Sequence, residues 1–179
     1  MQQKKIFKIL IAGSFGSGKT SLVRTLSEIE PLTTEKQISN SQERLFPGKK
    51  TTTVALDMGK LKIADDVEIQ LFATPGQERF SFMLDILSKG ILGALVLVDA
   101  TNLASIDEAK NIAKKIRELY EIPIVYGITK TDEENAKSFE EIQIHLGNED
   151  DAKIIKLDPR DFESSKRALL ELLKLILEQ

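Results

Sequence analysis

Eight consecutive residues, Gly13-Ser14-Phe15-Gly16-Ser17-Gly18-Lys19-Thr20, carry the most directly legible chemistry in the chain. They fit the pattern G-x-x-x-x-G-K-[ST], in which glycines let the backbone curl so that successive N–H groups point into one concavity. A helix following the loop adds its positive N-terminal end, and the two together suit a polyphosphate. Lys19 would neutralise the β and γ oxygens. Thr20 offers a hydroxyl to Mg²⁺, a hard cation that prefers oxygen ligands. A nucleoside triphosphate with magnesium is implied, with Ser14, Phe15, Gly16, Ser17, Gly18, Lys19, Thr20 and Ser21 as the phosphate-side contacts.

A second group, Thr129-Lys130-Thr131-Asp132, follows an apolar run and so falls at the carboxyl end of an expected strand, where α/β sheets bind ligands. A carboxylate there can accept from both the ring N–H and the exocyclic amino group of guanine, an arrangement that adenine does not present. Lys130 would lay its aliphatic stem along the purine. Read alone, the same four residues are also a polar start to a helix, since Thr and Asp are good caps.

These groups must be positioned by an alternation of short Ile/Val/Leu-rich runs with segments of helical period, the pattern of βαβ units around a mostly parallel sheet. Strands are expected over 5–12, 92–98, 122–128 and 153–156, and helices over 19–30, 79–88, 105–120, 138–145 and 162–177. Residues 52–63 and 67–73 alternate in period two about Ala64-Asp65-Asp66 and predict an antiparallel hairpin at one edge of the sheet. The fold expected is a three-layer α/β/α sandwich with a six-stranded, mostly parallel sheet and one antiparallel edge strand. Residues 31–50 are polar, hold Pro31, Pro47 and Gly48, and read as a 20-residue loop, a length that means either a functional loop or a wrong assignment.

Composition narrows the chemistry further. The chain has 179 residues, no cysteine, one histidine and a formal charge of −3, which excludes disulfides, thiol nucleophiles, Cys-based metal sites and His-dependent triads. That balance offers no electrostatic footprint for nucleic acid. No apolar run approaches the roughly 20 residues that span a bilayer, and neither myristoylation nor prenylation has its residue, so a cytoplasmic protein without a lipid anchor is expected. No linker or repeat divides residues 1–179, which are expected to form one domain. His145 reads as structural, and the acidic run Glu149-Asp150-Asp151 as a solvated loop.

With the phosphate loop, Thr129-Lys130-Thr131-Asp132 and Thr74-Pro75-Gly76-Gln77-Glu78 in this order, the chain resembles the Ras-like small GTPases over essentially its whole length. The proline before Gly76 and the threonine at Thr129 make it more similar to the prokaryotic branch, which includes MglA-type GTPases and those partnered by roadblock proteins. The resemblance implies one G domain that binds GTP and GDP with Mg²⁺ and hydrolyses GTP slowly. It implies a switch I over about 31–53 and a switch II over about 74–88, through which a protein partner is signalled. Thr53 and Thr20 would ligate Mg²⁺, the Gly76 N–H would bond the γ-phosphate, and Gln77 would orient the attacking water, with Lys19 and Thr53 sharing the catalytic work. Asp158-Pro159-Arg160 looks like the motif whose backbone touches the guanine oxygen.

Two positions depart from the family pattern. Ala73 stands where an aspartate usually holds a magnesium-bound water, and Asp57 or Asp99 are the carboxylates that could replace it. Phe15 projects from the phosphate loop where many members keep a small residue. Arg44 and Arg79 are the internal arginines that could assist hydrolysis. The alternatives are a hydrolysis-deficient scaffold that still binds guanine nucleotides and a P-loop ATPase or small-molecule kinase.

Overall fold

A computed structural model describes residues 4–34, 56–74, 90–147 and 152–179. The strands are β1 (Lys5–Gly13), β2 (Leu32–Thr34), β3 (Leu56–Ala64), β4 (Val67–Ala73), β5 (Ile91–Asp99), β6 (Ile124–Thr129) and β7 (Lys153–Lys156). The described helices are α1 (Lys19–Leu26), α2 (Leu103–Leu119), α3 (Phe139–Leu146) and α4 (Phe162–Leu177). All seven strands join one sheet in the order β2-β3-β4-β1-β5-β6-β7. β3 pairs antiparallel with both of its neighbours, and β4, β1, β5, β6 and β7 run parallel to one another.

The sheet is the expected one with a short seventh strand added. β2 pairs Leu32, Thr33 and Thr34 with Met58, Asp57 and Leu56, so the antiparallel β3 is covered on its outer side instead of forming the edge. These three residues fall inside the stretch read as loop, where the absence of alternation hid them. α1 stops at Leu26 rather than continuing to residue 30, because Ser27 turns out of helical backbone and its hydroxyl accepts from Lys60 N at 3.1 Å. The expected helix over 79–88 lies outside the described residues.

β1, β5 and β6 are nearly continuous apolar runs because both of their faces are covered. One face packs Ile9, Ile11, Leu71, Leu95 and Leu97 against Leu22, Val23 and Leu26 of α1 and Ala168, Leu169 and Leu172 of α4. The other packs Leu10, Val96, Val98 and Ile128 against Ile106, Ala109, Ile112 and Ile116 of α2 and Ile142 and Leu146 of α3. Two buried layers of this kind fix the strand ends relative to one another, which is what a site assembled from several loops requires. None of the described helices is long and apolar enough to cross a membrane.

The chain leaves central β1 toward one edge of the sheet and later crosses to β5 on its other side. β1 therefore ends at the topological switch point, where such sheets open a crevice at their carboxyl edge. Residues 13–20 sit there.

Candidate nucleotide-binding site

Local backbone chemistry shapes the phosphate loop. Gly13, Gly16 and Gly18 have φ of 142°, 73° and 104°, a region that side chains disfavour. At Gly18 contact also decides the residue: an added Cβ would lie 2.7 Å from Pro159 Cγ, so this glycine lets the phosphate loop close against the loop after β7. α2, α3 and α4 each have a side-chain cap, from Asn102, Ser138 and Asp161, whereas α1 begins at Gly18 with none. The N–H groups of its first turn are left for a ligand, and a helix start of this kind favours an anion.

Lys19 Nζ donates to the carbonyl oxygens of Gly13 at 2.8 Å and Ser14 at 2.6 Å, holding the amine over the mouth of the loop. Burial pushes its pKa down to about 8, against the smaller opposing pull of Glu108 and Asp57. A desolvated amine poised near neutrality gains most from a phosphate placed beside it. Thr20 Oγ1 donates to Asp57 Oδ2 at 2.5 Å, so the hydroxyl closing the motif meets a buried carboxylate from β3.

Of the two carboxylates considered for the metal side, the geometry separates the roles. Asp57 is opposite Ala73 in the β3–β4 register and reaches Thr20. Asp99 is engaged on the base side: its carboxylate accepts from Lys130 Nζ at 2.5 Å and from the Thr101 hydroxyl at 2.6 Å and amide at 2.9 Å. Burial raises the Asp99 pKa, but the Lys130 and Thr101 hydrogen bonds outweigh it and hold the carboxyl below the usual range. A hydroxyl, a carboxylate and the oxygens of a polyphosphate are the donor set that Mg²⁺ prefers, so these residues fit that ion.

The base-side loop is tied to the phosphate loop by two links. Thr129 Oγ1, fully buried, donates to Ser17 O at 2.8 Å, so a threonine couples the end of β6 to the phosphate loop. Ser14 and Ser105 hydroxyls meet at 2.7 Å, and Ser105 Oγ accepts from Asp99 N at 2.9 Å, which leads on to Lys130. Lys130 has φ of 58°, the one positive φ at a described non-glycine residue. The Asp99 ion pair holds its amine while the backbone turns sharply at the strand end.

Between these loops lies a cleft of ≈ 180 Å³. It is lined by Gly16, Ser17, Gly18 and Ser21 of the phosphate loop and the start of α1, and by Lys130, Asp132, Glu133, Asp158, Pro159 and Arg160 of the loops after β6 and β7. Arg160 bridges those two loops, donating to Asp132 Oδ2 at 3.0 Å and, as a fork, to Asp158 at 2.9 Å through both Nε and Nη2. Thr25 Oγ1 donates to Pro159 O at 2.7 Å and ties this loop to α1. The Phe15 side chain is 89% exposed.

Thus Ser17, Gly18, Lys130, Asp132, Asp158, Pro159 and Arg160 come together around one cleft, with Ser14, Lys19, Thr20 and Thr129 in the loops that border it. Thr53, Gly76, Gln77, Arg44 and Arg79 lie outside the described residues. The sequence reading missed Ser105 and Thr25. Ser105 could have been noticed as the third residue after the cap Asn102, but nothing local marks Thr25. His145 lines no part of this cleft and pairs at 3.0 Å with Asp107, joining α3 to α2.

The family profile described as "conserved hypothetical ATP binding protein" matches residues 32–179, a span that begins after the phosphate loop. The uncharacterized protein MJ1339 of Methanocaldococcus jannaschii is 34% identical over 130 residues, covering 73% of this chain and 73% of that protein. The Ras-related protein Rab-8B of Homo sapiens is 32% identical over 113 residues, 63% of this chain and 49% of its own. The Ras-related protein Rab-13 of Canis lupus familiaris is 26% identical over 117 residues, 63% and 50% of the two chains. The chain therefore spans about half the length of these Rab relatives. Together the matches support a P-loop nucleotide-binding, GTPase-like protein.

Proposed function

The chain belongs to the family described as a conserved hypothetical ATP binding protein, and from that premise of nucleotide binding we propose a single G domain that binds GTP and GDP with Mg²⁺ and hydrolyses GTP slowly. The observation that carries the choice of guanine is the carboxylate of Asp132, which the loop after β6 brings to the same cleft as the phosphate loop. It is an acceptor for the two adjacent N–H donors of guanine. Adenine would put a ring-nitrogen lone pair in front of it.

On this reading Lys19 exchanges its carbonyl partners for phosphate oxygens, and the amides of residues 16–20 bind the remaining charge. Thr20 and Asp57 hold the metal side, with Thr53 joining them as the resemblance implies. Mg²⁺ would supply charge neutralisation to the polyphosphate when bound. Gln77 orients the attacking water, and the Gly76 amide bonds the γ-phosphate. Loss of that phosphate then frees residues of about 31–53 and 74–88 to present a different surface to a protein partner, a roadblock-type protein among the candidates. Thr129 and the Ser14–Ser105 contact keep the base and phosphate ends in fixed register.

The nucleotide released on denaturing the purified protein, together with competition of GDP against ADP, tests the base. Guanine nucleotide in the released pool and tighter GDP binding are expected. Tighter ADP binding would support the second reading, an ATP-binding P-loop protein, which the family description favours. Single-turnover hydrolysis of bound GTP, with and without Gln77→Ala, separates a slow enzyme from a scaffold. An equally negligible rate in both would support the scaffold.

A further inference from the structure

We infer that the Arg160 guanidinium reads the 6-oxo group of the purine, making it a specificity-determining residue beside Asp132. The inference rests on the guanine assignment above and goes beyond it. Guanine offers O6 next to the N–H that Asp132 would accept, and O6 needs a donor; the resemblance assigns that donor to the backbone of Asp158-Pro159-Arg160.

In this chain those backbone donors are already committed. The Asp158 N–H donates to Ser164 Oγ at 2.9 Å, Pro159 has no N–H, and the Arg160 N–H donates to Asp158 Oδ1 at 3.0 Å. Further along, the Asp161 N–H donates to Asp158 O at 3.2 Å. Pro159 also cannot be turned freely, since its ring abuts Gly18 and its carbonyl accepts from Thr25.

The guanidinium is placed where that donor is missing. Its fork onto Asp158 fixes its plane, and Nη2 reaches Asp132 Oδ2 at 3.0 Å, the carboxylate that would accept from the ring N–H. With Oδ2 taking the ring N–H, the Nη2 donor bonded to it lies alongside O6, because O6 and that N–H are neighbours on one edge of the base. Arginine has five donors in a rigid fork, and its pairing with guanine O6 and N7 is a favoured contact. A 6-amino group, as in adenine, would instead point its own donors at the cation. Asp132 and Arg160 thus form a charge pair whose acceptor and donor match the two halves of the guanine edge.

The test compares affinities for GDP, inosine diphosphate and ADP in the wild type, Arg160→Met and Arg160→Lys, with thermal melting to check folding. Inosine keeps O6 and the ring N–H but lacks the 2-amino group. Arg160→Met should weaken GDP and inosine diphosphate by about the same factor, on the order of tenfold, and leave ADP unchanged or tighter. Arg160→Lys should recover part of the loss, since it keeps a charged donor. An equal loss for all three nucleotides, no loss, or tighter GDP binding in Arg160→Met would overturn the inference; the last would make Arg160 only a competitor for Asp132. Equal binding of GDP and ADP by the wild type would defeat the guanine assignment itself, and the inference with it, before any variant is made.

Discussion

Asp57 stands directly opposite Ala73 across the antiparallel β3–β4 pair, and its carboxylate accepts from the Thr20 hydroxyl at 2.5 Å. Opposed residues of an antiparallel pair place their Cβ atoms on one face, about 4.5–5.5 Å apart. The carboxylate missing from the end of β4 is therefore present one strand over, on the same face, beside the hydroxyl that closes the phosphate motif. An alanine at 73 leaves room for it.

If Asp57 takes part in holding Mg²⁺, Asp57→Asn should raise the Mg²⁺ concentration needed to retain nucleotide by about 10- to 100-fold, the usual effect of losing an outer-shell metal partner. Nucleotide affinity in excess chelator should change little. The double variant Asp57→Ala with Ala73→Asp returns a carboxylate to the same face and should recover part of the loss. A Mg²⁺ titration midpoint unmoved in Asp57→Asn would sink this role.

That relationship was only partly legible in the sequence. The alternation on either side of Ala64-Asp65-Asp66 predicts the hairpin, and a three-residue turn between Ile63 and Val67 carries Asp57 opposite Ala73, the pairing the sheet holds. The sequence does not announce the irregularity between Lys62 and Ala64, where the turn tightens to pair Ala64 with Val67. Nor does it choose between Asp57 and Asp99, because the contact with Thr20 depends on β1 and the helix after it lying beside β4 and β3. The phosphate loop was legible because its glycines and lysine act within eight residues; the Thr129 bond to Ser17 spans 112 positions and depends on β1, β5 and β6 lying side by side. β2 was hidden for a related reason, since three residues carry too little alternation to be recognised without their partner strand.

Thr129→Val keeps the shape of the side chain and removes its donor. Ser17 O then loses its hydroxyl partner in a buried setting, which costs about 1–3 kcal/mol. A lower melting temperature and faster nucleotide dissociation are expected. Thr129→Asn, whose amide can donate across the same gap, should stay closer to wild type. Stopped-flow dissociation of a fluorescent GDP checks both, and an unchanged rate in Thr129→Val would remove the hydroxyl from the account.

The phosphate-loop glycines should differ in their tolerance. Gly16 has φ of 73° with nothing within 4 Å of an added Cβ, while Gly18 combines φ of 104° with Pro159 Cγ at 2.7 Å. Gly16→Ala should lose only the cost of a disfavoured backbone, about 1–3 kcal/mol. Gly18→Ala should lose more, and Pro159→Ala in the same chain should return the steric part. Chemical denaturation of the three variants gives the order, and equal losses for Gly16→Ala and Gly18→Ala would show that the contact with Pro159 carries no strain.

Lys19 predicts two opposite responses to pH. Its pKa in the folded, nucleotide-free protein is about 8, against 10.5 for the ordinary side chain, chiefly because burial penalises the charge. The unfolded chain therefore binds more protons at this residue between about pH 8 and 10.5, so its contribution to stability improves as pH rises through that window. Phosphate beside the amine favours the charged form and raises the pKa, so nucleotide binding takes up a proton above pH 8. Affinity should hold below pH 8 and then fall by a factor approaching tenfold per unit until the pKa of the complex is reached. Calorimetric GDP binding in buffers of different ionisation enthalpy reads the proton uptake directly. Lys19→Met should abolish the uptake and flatten both slopes, and persistence of the same uptake in that variant would assign the proton to another group.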